Sequence, residues 1–261
     1  VKIVVCVKHV PDAMGDRTFT EEGVTDRASV DSLLSELDEY AVEQALRIAE
    51  SGVDAEISYL TVGPDDAKDA LRKALAMGGD SAIHVSDDDI EGSDAFGTSL
   101  VLARAIERHG FDLVLCGMAS TDGTMGVVPA MLAERLGVPA VTHVDEPAVQ
   151  AEDGTVTGRR EGDGASVRIQ GTLPAVVSVT DRSGDARYPS FKGIMAAKKK
   201  PLETLDLDDL GIEPEQVGRS GARSAVDTAT RRPPRSKGEI VSDEGAGGVG
   251  LADFLTTRKF A

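Results

Sequence analysis

At 261 residues and 41% hydrophobic side chains, the chain can bury a sizeable core in one or two domains and is too apolar to be disordered. A formal net charge of −17 argues against a nucleic-acid partner, which calls for a basic face. Apolar runs such as VVPAML and LPAVVSV are far too short to span a membrane, and with no Trp and 3% aromatics the core must be built from Val, Leu, Ile and Ala.

The chain opens in a strand, Val1 to Val10, with no secretory signal visible, so a cytoplasmic location is expected. Thr18 to Val30 alternates loosely around Glu21-Glu22-Gly23, as a small hairpin would. Ser35 opens a helix in which S-E-L-D has the form of a capping box and Leu37, Tyr40, Ala41, Gln44, Ala45 and Ile48 keep helical spacing. Gly52 ends it. Ala55 to Val62 reads as the second strand, broken by Gly63-Pro64, and Asp65 to Met77 as a helix closed by Gly78-Gly79. Ser81 to Ser86, Ser93 to His109 and Asp112 to Met118 continue as strand, helix and strand. This βαβαβαβ order predicts an α/β fold, a mostly parallel sheet flanked by helices.

The stretch DLVLCGMASTDGTMGVVPAMLAERL carries the most information. It reads as a buried strand, a turn given backbone freedom by Gly117, Gly123 and Gly126, and a helix from Val127 to Leu136. Backbone N–H groups at such a helix start bind phosphate without a basic side chain, although the same pattern also serves as an ordinary connection in a doubly wound sheet. Cys6 and Cys116 fall late in parallel strands and read as buried thiols of a reducing compartment, with neighbouring positions also open. After Gly137, the short runs Ala140–Val144, Gly154–Arg159, Ser166–Gly171 and Ala175–Thr180 read as an antiparallel extension. From Arg182 the periodicity fades. Residues 213–237 read as an extended arm, with a terminal helix from Leu251 to Phe260. The expected organisation is therefore a domain over 1–182, a docking segment over 183–212 and an arm over 213–261 that packs on a partner.

Motifs for catalysis are missing: there is no GxxxxGK[ST], GxSxG, HExxH or CxxC, and no GxGxxG after the first strand, which makes a standard NAD site unexpected. No catalytic residue and no metal site are expected. Asp87–Asp89 reads as a solvated turn and His84 as a core residue, whereas His9 ends the first strand near the switch point where α/β folds bind ligands. Acid dispersed along the whole chain suggests a surface adapted to high salt, as in a halophile.

Five stretches in register resemble the β subunit of electron transfer flavoproteins: VKIVVCVKHVPD, SELDEYAVEQALRI, LTVGPDDAKDALRKALAMGGDSAIHV, the loop segment above, and LPAVVSVTDRSGDARYPSFKGIMAAKKKPLETLDLDDLGI. They cover about residues 1–212, and RRPPRSKGEIV extends the match loosely. The resemblance implies a nucleotide-binding fold related to ATP pyrophosphatases and universal stress proteins (the adenine nucleotide α-hydrolase-like, HUP type). It implies an α subunit carrying the redox FAD, and AMP in the β subunit or, in electron-bifurcating members, a second FAD. Electrons would pass from dehydrogenases to a quinone oxidoreductase, with no membrane insertion of this chain.

Carried over by position, the family's nucleotide contacts fall on Cys6, Val7 and His9 at the first strand's end, and on Ser35, Leu37 and Asp38 at the helix start. They continue with Val62 before Gly-Pro, then Gly117, Ala119, Asp122 and Gly123, and finally Thr124, Met125, Gly126, Val127 and Val128. Val127 and Val128 replace polar phosphate contacts and offer only backbone N–H. Leu37 replaces an aromatic that often approaches the flavin, and Ala13 stands where many members have a larger residue. Asp122 is read as shaping the loop rather than pairing with charge. Ala186 to Lys200 covers the partner-docking loop, with Phe191 as the apolar anchor, Ile194 and Met195 beside it, and Lys198, Lys199 and Lys200 following. A stand-alone stress-type nucleotide binder is the alternative, but its G-x2-G-x9-G-[ST] pattern fails at Leu136. A pyrophosphatase-like ligase would need S-G-G-x-D-S after the first strand, where His9-Val10-Pro11-Asp12 stands.

Overall fold

Segments such as KIVVC and AVVSV are apolar at consecutive positions, and a strand covered on both faces buries all of them. They lie at the centre of a nine-stranded sheet in a computed structural model that describes every residue except 236, 239, 241, 242, 244 and 261. Those six positions of the expected arm therefore lie outside the described residues.

The strands are β1 (Lys2–Cys6), β4 (Glu56–Val62), β5 (Ser81–Val85), β6 (Leu113–Gly117), β7 (Ala140–Gln150), β8 (Thr155–Glu161), β9 (Ser166–Thr172), β10 (Ala175–Val179) and β11 (Leu202–Leu205). Their order is β11-β5-β4-β1-β6-β10-β7-β8-β9, and β2 (His9–Pro11) pairs separately with β3 (Ser32–Leu34). Every pair from β11 to β7 is parallel, and β7-β8-β9 is antiparallel. Alternate residues point to opposite faces. Ile3, Val5, Ile57 and Tyr59 pack in one core cluster beneath α1 (Glu36–Glu50) and α2 (Lys68–Met77). Val4, Leu60, Val114 and Cys116 pack in the other, against α3 (Ala95–His109) and α4 (Val128–Leu136).

Several expectations are corrected. The first strand splits, because the chain leaves the sheet after Cys6 and His9–Pro11 pairs with β3 instead. The hairpin at Thr18–Val30 does form but is short: Phe19 bridges Thr25 antiparallel, with the Thr20 N–H on the Val24 carbonyl at 2.8 Å and the Asp26 N–H on the Thr18 carbonyl at 3.0 Å, within a polar strap. β10 is no part of the antiparallel extension. All five of its residues are buried, and it inserts parallel between β6 and β7. The capping box at Ser35 does not form: the Ser35 N–H donates to the Lys8 carbonyl at 2.9 Å, and the Asp38 carboxylate turns to the Lys8 N–H at 2.9 Å.

Beyond Arg182 the chain is more ordered than its periodicity suggests. α5 (Phe191–Ala197) packs on α2, and β11 adds a parallel edge beside β5. Ile212 and Val217 enter the second core cluster, and α6 (Gly218–Gly221) follows. One compact unit thus runs from Val1 to Asp227, so the expected breaks after 182 and 212 fall inside it. The second unit, Thr228–Ala261, contains α7 (Gly247–Thr257). Among the described residues no helix is long and apolar enough to cross a membrane.

Candidate functional site

The sheet order reverses at β1: the chain first builds outward through β4 and β5, then returns to place β6 on the other side of β1. Two loops diverge at such a point, and the crevice at the strands' carboxyl ends is where α/β sheets bind ligands. The same edge of the sheet collects Cys6 and Val7 leaving β1, Val62 ending β4, and Gly117 ending β6. It also carries Ser35, Leu37 and Asp38 at the start of α1, and the loop from Ala119 into Val128.

The chain supports this crevice closely. The Val7 N–H donates to the Leu60 carbonyl at 2.9 Å. A side chain at Gly117 would put its Cβ 2.6 Å from both Asp38 Oδ1 and the Leu37 carbonyl, so α1 packs directly onto β6. Asp38 is buried, which pushes its carboxyl up to about 7 despite the Lys8 N–H and the Lys8 charge. The Cys6 and Cys116 thiols are hydrogen-bonded neighbours. That bond and burial push the Cys116 thiol up, which leaves it a poor nucleophile. The Ser35 hydroxyl is fully buried and has no hydrogen-bond partner among the described residues.

In the loop, Thr124 has φ 54° and Gly126 φ 66°, so the turn uses the left-handed region twice. A Cβ on Gly126 would also stand 3.2 Å from the Met118 carbonyl. Gly123, Thr124 and Met125 are exposed, and Val127 and Val128 lead into α4 half-buried, with Pro129 in its first turn.

Asp122 corrects the sequence reading. Its carboxylate, 3% exposed, accepts the Lys8 ammonium at 2.9 Å and the Arg27 guanidinium at 2.7 Å. Burial alone would raise it, but the Lys8 charge and the bonds from Ser120, Lys8 and Arg27 hold it far below the usual carboxylate range. Arg17 donates to the Thr121 carbonyl at 2.5 Å, so the strap between β2 and β3 is fastened to the loop at two points. Sequence reasoning missed Lys8, Arg17 and Arg27. The available signal was Lys8 itself, a cation two residues past a buried strand in an acidic chain.

His9 is half-buried in β2, with burial lowering its pKa and Asp69, Asp66 and Arg27 around it. His84 is a satisfied core residue on one nitrogen, bonded through Nε2 to the Gly63 carbonyl at 2.8 Å. The Asp87 carboxylate caps a short turn by accepting the Asp89 and Leu207 N–H groups. No cluster suited to a metal occurs among the described residues. A cleft of about 540 Å³ between Arg47, Ser51, Asp54 and Gln150 lies at the opposite, amino-terminal end of the sheet.

The α5 residues form a separate site. Phe191, Ile194 and Met195 are 81%, 44% and 48% exposed, with Tyr188 at 95% beside them. Lys198 and Lys199 point outward, but Lys200 turns in. Its ammonium donates to the carbonyls of Leu75 and Gly78 at 2.9 and 3.1 Å and closes the end of α2.

Residues 22–210 match the electron transfer flavoprotein domain. The chain is 44% identical to electron transfer flavoprotein subunit beta of Mycobacterium tuberculosis over 98% of both chains. It is 31% identical to the protein of the same name from Megasphaera elsdenii, over 100% of this chain and 98% of that one. It is 34% identical to the caffeyl-CoA reductase–Etf complex subunit CarD of Acetobacterium woodii, over 92% of each.

Proposed function

The chain belongs to the electron transfer flavoprotein family as a β subunit, and on that premise we propose that its switch-point crevice holds AMP. The α subunit of the heterodimer would carry the redox FAD. The observation that carries this reading is the convergence of the β1 and β6 ends with a Gly-rich loop turned by positive φ at Thr124 and Gly126. The residues fit such a ligand. Loop N–H groups suit a phosphate, and the orphaned Ser35 hydroxyl has unmet hydrogen-bonding capacity at the start of α1.

When bound, the α-subunit flavin supplies the redox chemistry, and this chain's residues hold, orient and exclude water. No residue of the chain is assigned a catalytic role. The exposed α5 ridge docks dehydrogenases that give electrons, and a quinone oxidoreductase receives them. The arm packs on the α subunit, and the assembly is cytoplasmic. Cofactor content of the co-purified, denatured heterodimer tests the crevice. One flavin plus AMP is the expected result. Two flavins would replace AMP by FAD in the crevice and point to bifurcation, and one flavin without nucleotide would refute a nucleotide site.

A further inference from the structure

Lys8 is bolted into the crevice at three points. Its N–H donates to Asp38 at 2.9 Å, its carbonyl accepts the Ser35 N–H at 2.9 Å, and its ammonium lies 2.9 Å from Asp122 Oδ1. Arg27 comes from the strap, with one nitrogen 2.7 Å from Asp122 Oδ2 and another 3.2 Å from the His9 carbonyl. Asp122 Oδ1 also accepts the Gly123 N–H at 2.7 Å. The carboxylate is thus covered while the two cations keep open sides, at 42% and 38% exposure against 3%.

One cation suffices to satisfy one carboxylate. Placing a second cation on it adds like-charge repulsion and leaves the trio with one net positive charge. In a chain of net charge −17, that excess sits beside the N–H groups of a Gly-rich loop and near the unpartnered Ser35 hydroxyl. A strap needing only a fastener already has the Arg17 bond to Thr121. We propose that Lys8 and Arg27, oriented by Asp122, recognise the phosphate of a nucleotide monophosphate in the crevice. They supply the charge that Val127 and Val128 cannot. Asp122 is then a positioning residue: it holds both cations at the loop and does not itself meet the anion.

This assignment rests on the nucleotide reading of the crevice, and the test separates the two. The probes are AMP and adenosine, titrated calorimetrically into the two-subunit complex after its endogenous nucleotide is removed. Adenosine reports the crevice without the phosphate. The native complex should bind AMP at least about a hundredfold more tightly than adenosine, as charge-assisted bonds to phosphate require. Lys8→Met and Arg27→Gln should each shrink that ratio about tenfold while adenosine affinity stays within about twofold. Arg27 lies on the exposed strap, so its variant keeps the test readable if Lys8→Met fails to assemble. If AMP and adenosine weaken together, or the ratio does not move, the cations only fasten the loop and the assignment is overturned. If the native complex binds neither probe, the nucleotide reading fails first and takes the assignment with it.

Discussion

At the switch point, Lys8, Ser35 and Asp122 are tied by backbone or charged bonds to elements far away in sequence, whereas on α5 three apolar side chains, with Tyr188 just before them, stand in water. The base of α5 is as firmly built as the crevice. A Cβ at Gly193 would lie 2.2 Å from the Ala76 carbonyl, so α5 rests on α2 backbone to backbone. Arg72 donates to the Ala197 carbonyl at 2.7 Å, and Lys200 closes α2. Both regions are therefore rigid supports, but they present different things. The crevice presents fixed N–H groups and charge, which suits a small anion. The ridge presents apolar surface on a fixed frame, which suits a protein partner.

The sharpest break in that comparison is Gly126→Val. A β-branched residue is strained at φ 66°, and its Cβ would press on the Met118 carbonyl. Nucleotide content of the purified heterodimer should fall to near zero while the α-bound flavin stays. Retention of full nucleotide would show that the loop backbone is not the cradle.

On the ridge side, surface and support should separate. Phe191→Ser should cost under about 0.5 kcal/mol of stability, since the side chain is 81% exposed, yet slow electron transfer from a dehydrogenase by about tenfold or more. Glu43→Gln should do the reverse. Glu43 is 5% exposed and takes Arg47 at 2.8 Å and Arg187 at 2.7 Å. Those arginines and Gln44 hold residues 183–187 against α1. Burial opposes its ionisation, but Arg187 and Arg47 outweigh it. Loss of one charge should cost about 2 kcal/mol, or roughly 5 °C in thermal midpoint. Equal destabilisation by both substitutions would end the distinction between surface and support.

Legibility in the sequence followed locality. The four βα units, the Gly-rich loop and the helix after it were readable because each signal lies within one short window. The place of β10 was not, since AVVSV looks alike at a sheet's centre or its edge and only pairing with β6 and β7 decides. The roles of Lys8 and Arg27 were hidden for the same reason: Asp122 lies 114 and 95 residues away from them. The α5 ridge was legible only through resemblance, since an exposed FKGIM carries no periodic signal of its own.

Asp38 gives a pH test of the crevice wall. Its carboxyl is raised to about 7 in the folded chain, chiefly by burial, against an ordinary value of 3.8. Between these values the folded state binds the proton that the unfolded state releases. Stability from this group is therefore full below about pH 4 and is lost as pH rises through 7. Thermal midpoints of the heterodimer should fall over that interval, and Asp38→Asn should flatten the fall. An unchanged slope in the variant would mean that Asp38 is ionised throughout.

The smallest expected effect is that of salt, and it bears on both regions at once. The chain's −17 charge makes the compact state repel itself, and at 1 M salt such repulsion is screened beyond about 3 Å. Ion pairs are screened too, but unequally. The Asp122 and Glu43 carboxylates are 3% and 5% exposed, so their pairs are shielded from bulk ions. Exposed pairs such as Lys68–Asp65, with Asp65 84% exposed, contribute little at any salt. Relief of repulsion should therefore win, raising the thermal midpoint by a few degrees between 0.1 and 2 M KCl. The crevice and ridge supports should hold while the acidic surface quiets. A falling midpoint would mean that the charged anchors, not the dispersed acid, dominate the electrostatics, and the high-salt reading would be withdrawn.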